Sequence, residues 1–150
     1  LGGAAEASVA GELAFAADFR IGTPRIRIGN PETGLGILAA AGGTWRLIEL
    51  VGEPMAKELL LTGRILKAEE ALALNLVTEI HEPENLLTAA VELANRIATQ
   101  DALAVQLTKK VMHAPREAHP LVDELAQAIL FESPEKFARM DAFLNKSNRK

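Results

Sequence analysis

Beyond residue 65 the chain is written almost entirely in amphipathic helical patterns, and a helix with one apolar stripe must bury it against another layer. Leu87, Ala90, Val91, Ala94, Ile97 and Ala98 recur at helical spacing, which predicts a helix from Pro83 to about Thr99. Asp101 is a suitable N-cap for "ALAVQLTKKVMHA". Pro120 opens "PLVDELAQAILFE", and Ser133-Pro134 opens a last helix with Phe137, Met140, Phe143 and Leu144 on one side. Only "VTEIHE" interrupts these helices, as a short extended piece. The stripes need a partner surface, and either the first part of this chain or a second copy can supply it.

The first part differs in character. Residues 4–17 read as a buried Ala-rich helix. "FRIG" and "RIRIG" follow as short strands, the second with period-2 alternation. Residues 29–36 carry the turn chemistry of Asn30-Pro31 and Thr33-Gly34 and read as loop. "GGTWRLIELVG" is a short helix after a glycine turn, and Pro54 and Gly63 bracket the next one. "AEEALALNL" is a further short helix. The expected organisation is an α/β piece over 1–65, carrying the reactive segments, and a helical region over 66–150 suited to self-association.

A net charge of −4 with dispersed basic residues argues against a nucleic-acid partner. No apolar run reaches the length of a membrane span, so no membrane partner is expected. Without cysteine there is no disulfide, thiolate nucleophile or Cys-ligated zinc, and a cytoplasmic location fits. The sequence opens on Leu1 and not on methionine, which reads as a cut end. His81, His113 and His119 lack the spacing of a helical metal site, so no metal is expected. Gly42-Gly43-Thr44 reads as a tight turn, and Trp45 as a packing residue.

Two glutamates stand out. Glu12 lies in the most apolar stretch, where a carboxylate is costly unless paired and where burial favours acid–base use. Glu32 sits in a glycine-flanked loop, a usual place for site residues. Two carboxylates converging on one pocket can share a water, one taking its proton while the other supplies one. The plain alternative is a capped or ion-paired Glu12 and a solvated Glu32.

The run "ELAFAADFRIGTPRIRIGNPETGLGILAAAGGTWRLIELVG" resembles the enoyl-CoA hydratase/isomerase (crotonase) family. The likeness continues through "KELLLTGRILKAEEALALNLVTEI" and "LFESPEKFARMDAFLNK". It implies an α/β crotonase-like spiral core, present in part, followed by an all-helical region. It further implies hydration of a 2-enoyl-CoA thioester, with Glu12 and Glu32 as the catalytic pair. No bound cofactor is implied, because the substrate itself carries coenzyme A, and assembly into homotrimers or hexamers is expected.

The sequence departs from the family pattern in "LGGAAEASVAGE". Counting from the glycines puts Glu6 in the catalytic place, while counting from the strand puts Glu12 there. Six residues rotate a helix by roughly 240° net, so the two cannot occupy one helix face. The Glu-Leu-Ala context and the spacing to Glu32 favour Glu12. The backbone N–H of the oxyanion site falls on Val9 in that register and on Gly3 in the other. Ala39 and Ala40 stand where the family often has proline and glycine. The family's N-terminal half has no counterpart here. Two rival readings follow: isomerisation of the double bond, and a truncated or non-catalytic subunit that keeps only the assembly helices.

Overall fold

The structure, a computed structural model, describes residues 13–147. They form two compact units, the first reaching Val91 and the second beginning at Glu92.

Four two-residue strands of the first unit form two separate pairs. Strand β1 (Ile21–Gly22) pairs in parallel with β4 (Glu79–Ile80), in the register Ile21 to Glu79 and Gly22 to Ile80. Strand β2 (Arg27–Ile28) pairs antiparallel with β3 (Leu66–Lys67), setting Ile28 opposite Leu66. The strands expected from "FRIG", "RIRIG" and "VTEIHE" are therefore present. Strand β3 lies where helix was expected to begin. A two-residue strand has no period of its own, and its pairing partner lies nearly forty residues earlier in the chain.

Helices α1 (Gly43–Val51), α2 (Glu53–Thr62) and α3 (Ala68–Ala73) pack around these pairs. Gly52 joins α1 to α2 at φ 78°, and Gly63 closes α2 in the left-handed region at φ 66°. Both positions demand what glycine supplies without strain. The core holds Phe15, Ile28, Leu47, Ala56, Leu59, Leu66, Ala71, Leu76 and Val77. Arg20 is half-buried beside it, donating to the carbonyls of Leu76 at 2.7 Å and Ala17 at 2.7 Å. Burial lowers its pKa from the usual arginine value.

Helix α4 spans Leu86–Ala98. Its covered side chains are Leu86, Ala89, Leu93 and Ile97, whereas Leu87 and Val91 are exposed. The expected stripe was the neighbouring sector. Apolar residues fill both sectors of this helix, so periodicity alone does not choose between them. Proline also stands three residues before the helix and not at its first turn.

In the second unit, α5 (Ala102–Met112) is capped by Asp101, whose carboxylate accepts from the backbone N–H of Ala104 at 2.7 Å. Helices α6 (Leu121–Phe131) and α7 (Pro134–Ser147) follow. The Arg139 guanidinium joins Glu135 at 2.7 Å to the carbonyl of Thr99 at 3.0 Å. Lys136 lies over the rings of Phe131 and Phe137 at 4.4 and 4.1 Å. Among the described residues of this unit no side chain is fully buried. Leu121, Leu125, Ile129, Phe137 and Phe143 stay more than half exposed. No helix among the described residues is long and apolar enough to cross a membrane.

Candidate active site

The loop after β2 begins by dipping into the protein. Burial alternates along it: Ile28, Asn30 and Glu32 are buried, and Gly29 and Pro31 only partly covered. Glycine at 29 is a requirement of space, since a Cβ there would stand 2.7 Å from the Arg64 carbonyl oxygen. The loop then tightens into a 3-10 turn over Glu32–Leu35, where irregular loop was expected. Gly34 donates to Pro31 at 3.0 Å, and Ile37 donates to the carbonyl of Glu32 at 3.1 Å. Gly36 closes the turn at φ 75°. The Thr33 hydroxyl donates to the Leu60 carbonyl at 2.8 Å, which ties the turn to the last turn of α2. A Cβ on Gly63 would stand 3.4 Å from Pro31 Cα, so the end of α2 also presses on the loop.

This scaffold buries two polar side chains, and among the described residues it satisfies neither. Glu32 is 3% exposed, and both carboxylate oxygens lack a hydrogen-bond partner. Asn30 is 1% exposed, and neither its amide nitrogen nor its amide oxygen has one. Each such atom costs about 1–3 kcal/mol, and more where it is charged. A chain carries that cost where the groups serve something other than the fold. The solvated-turn alternative for Glu32 is inconsistent with its burial.

Sequence reasoning found Glu32 and passed over Asn30, which reads as turn chemistry beside a proline. Its signal was the alternation Ile28, Asn30, Glu32, in which an inward polar residue follows an inward apolar one. Glu12, Glu6, Val9 and Gly3 lie outside the described residues. The first described residues, Leu13–Phe15, are helical, and Phe15 is buried in the core.

Ala41 at φ 48° and Gly42 at φ 93° make a left-handed turn into α1. Trp45 is 49% exposed and packs on the Arg46 guanidinium at 4.2 Å, at the surface. A Cβ on Gly42 would come within 3.0 Å of Arg46 Nε, which makes this glycine part of the stack. His81 faces Glu79 at 2.7 Å, and His119 faces Asp123 at 2.9 Å. Among the described residues no three His, Asp or Glu side chains gather as a metal site would require.

The sequence and this geometry were compared with known proteins. A family model described as enoyl-CoA hydratase/isomerase matches residues 3–148. A short-chain-enoyl-CoA hydratase of Clostridium acetobutylicum is 40% identical over 122 residues, covering 81% of this chain and 45% of that protein. A crotonyl-CoA hydratase of Syntrophomonas wolfei is 38% identical over 139 residues, covering 90% of this chain and 54% of its own length. A crystal structure of enoyl-CoA hydratase from Bacillus anthracis superposes with a TM-score of 0.83 at 33% identity, covering 89% of this chain and 54% of that one. The chain thus spans about half the length of the curated relatives it matches. Its fold is part of their α/β core followed by their helical region.

Proposed function

We propose, from the premise that this chain belongs to the enoyl-CoA hydratase/isomerase family, that its protein adds water across the double bond of a 2-enoyl-CoA thioester. The observation that carries the reading is Glu32, buried with both oxygens free on a loop braced by α2. Such a carboxylate can accept a proton from water at the moment the water oxygen bonds to C3. In this reading Glu12 is the second carboxyl group and, starting protonated, supplies the proton that ends on C2; the proton that Glu32 took from water then passes to Glu12 and restores the pair. The charge that builds on the thioester oxygen is held by backbone N–H groups, Val9 in the Glu12 register or Gly3 in the Glu6 register. Water and thioester together balance the product, so the step calls for no electron carrier and no metal. Coenzyme A enters as part of the substrate.

The exposed apolar side chains of α6 and α7 support a homo-oligomer, a trimer or hexamer, in which they are covered. This assigns assembly to the helical region and chemistry to the segments before residue 65.

The test follows loss of conjugated enoyl-thioester absorbance with a short trans-2-enoyl-CoA and the natural full-length protein. Glu12→Gln and Glu32→Gln are each expected to lower kcat by roughly 10²–10⁴-fold, and Glu6→Gln to leave it near wild type. A dead Glu6→Gln beside an active Glu12→Gln would transfer the second role to Glu6. Folded parent protein that moves the double bond but adds no water would make it an isomerase. One that does neither would leave an assembly subunit.

A further inference from the structure

We propose that the Asn30 carboxamide is a further member of the reacting site, holding the water that Glu32 activates; this rests on the hydration reading above. Asn30 is as deeply buried as the core leucines, at 1% exposed. An asparagine held that deeply in a loop usually serves the backbone, as a cap or an Asx-turn. Asn30 does neither. The 3-10 turn that follows has Pro31 at its N-cap and no side-chain cap, and it closes on backbone bonds and the Thr33 hydroxyl without Asn30. Both amide atoms are unpartnered, and so are both oxygens of Glu32 two residues on. The two side chains therefore do not satisfy each other, although the same loop buries both.

A water between them gives one Glu32 oxygen a donor and the Asn30 N–H an acceptor. Water has two hydrogens to donate and two lone pairs. One hydrogen goes to Glu32. One lone pair accepts from the Asn30 amide N–H, leaving the other for C3 of the enoyl group. Glu32 alone accepts one hydrogen and leaves the water free to turn about that bond. A fixed N–H donor removes that freedom before the reaction, where orientation counts most. The amide contributes position and is neither proton donor nor acceptor in the balance: the hydroxyl still adds to C3 and the proton to C2.

The experiment uses the full-length protein and the same absorbance assay, with melting temperature measured on every variant. Asn30→Leu keeps the branching at Cγ and removes both polar atoms. Expected are an unchanged or raised melting temperature, because the amide makes no hydrogen bond to the described residues, and kcat lowered by about 10–100-fold with little change in KM. Combined with Glu32→Gln it is expected to add almost nothing, as for groups that act through one water. Asn30→Asp keeps the size and sets a second carboxylate beside Glu32. It is expected to shift the acidic limb of the kcat–pH profile upward. A lower melting temperature with full kcat for the folded Asn30→Leu variant would overturn the proposal and make Asn30 a structural residue. An acidic limb that stays in place in Asn30→Asp, with kcat intact, would do the same. Hydration by the parent with Glu32→Gln inactive and Asn30→Leu fully active rejects Asn30 alone. A parent that adds no water rejects the hydration reading, and the role of Asn30 with it.

Discussion

Gly29 shows how tightly single residues set the site. A Cβ at this position would stand 2.7 Å from the Arg64 carbonyl oxygen, so only glycine lets the loop that carries Asn30 and Glu32 run against that backbone. Backbone cannot move aside as a flexible side chain can. Gly29→Ala is therefore expected to destabilise the protein by about 1–3 kcal/mol, the usual cost of forcing an extra methyl group into a packed place. A thermal or urea melt measures it. Activity should fall with it, since displacing the loop displaces Glu32. A melting temperature equal to wild type would mean that Arg64 and Ile65 give way freely. Glu32→Gln should behave in the opposite sense, leaving the melt unchanged or higher while abolishing the proposed hydration, because the carboxyl it replaces is buried and makes no hydrogen bond to the described residues.

At the scale of elements, the end of α2 is tied to α3 by one cation. The Arg64 guanidinium meets Glu58 at 2.8 and 3.0 Å and Glu70 at 2.6 Å. The hydrogen bond from Arg64 holds the Glu58 carboxyl below its usual value. The backbone N–H of Lys67 and then Arg64 do the same for Glu70, and the two carboxylates in turn raise Arg64. Carboxyls whose folded pKa is depressed stabilise the fold above their unfolded pKa, and that contribution is lost as pH falls through the folded value. Melting temperature should therefore drop on acidification below about pH 4.3, the ordinary glutamate value, and drop less in Arg64→Met. The side chains are solvent-accessible, so added salt should shrink the difference. Equal acid sensitivity in both proteins would assign the loss to other carboxylates.

For the molecule as a whole, the question is what covers the apolar faces. The first unit keeps a core of its own around Leu47, Leu59, Leu66, Leu76 and Val77. The second keeps none fully buried among the described residues, although α6 and α7 carry leucine, isoleucine and phenylalanine throughout. In the proposed homo-oligomer these faces are covered. Leu125→Glu in the full-length protein is accordingly expected to reduce the mass measured by light scattering after size exclusion. An unchanged mass would free this face of α6 from the proposed interface. The relatives matched here are about twice as long, and that additional length is the other surface available to cover it.

Sequence alone determined the helices from residue 43 on, because caps, glycine stops and apolar spacing are local signals that survive in any context. It also singled out Glu32, because a carboxylate in a glycine-flanked loop between β-branched strands is chemically conspicuous. It left three things undecided. Strand β3 exists only because β2 lies beside it, and two residues carry no pattern. Helix α4 is apolar on two sectors, and only contacts decided that Leu86, Ala89, Leu93 and Ile97 are the covered ones. Asn30 reads as a turn former, and only packing decided that its amide is buried with nothing to bond. Local chemistry fixes which backbone conformations are affordable, whereas burial depends on residues far away in the chain. The site belongs to the second kind of information, since a carboxylate gains its reactivity from the water that its surroundings exclude.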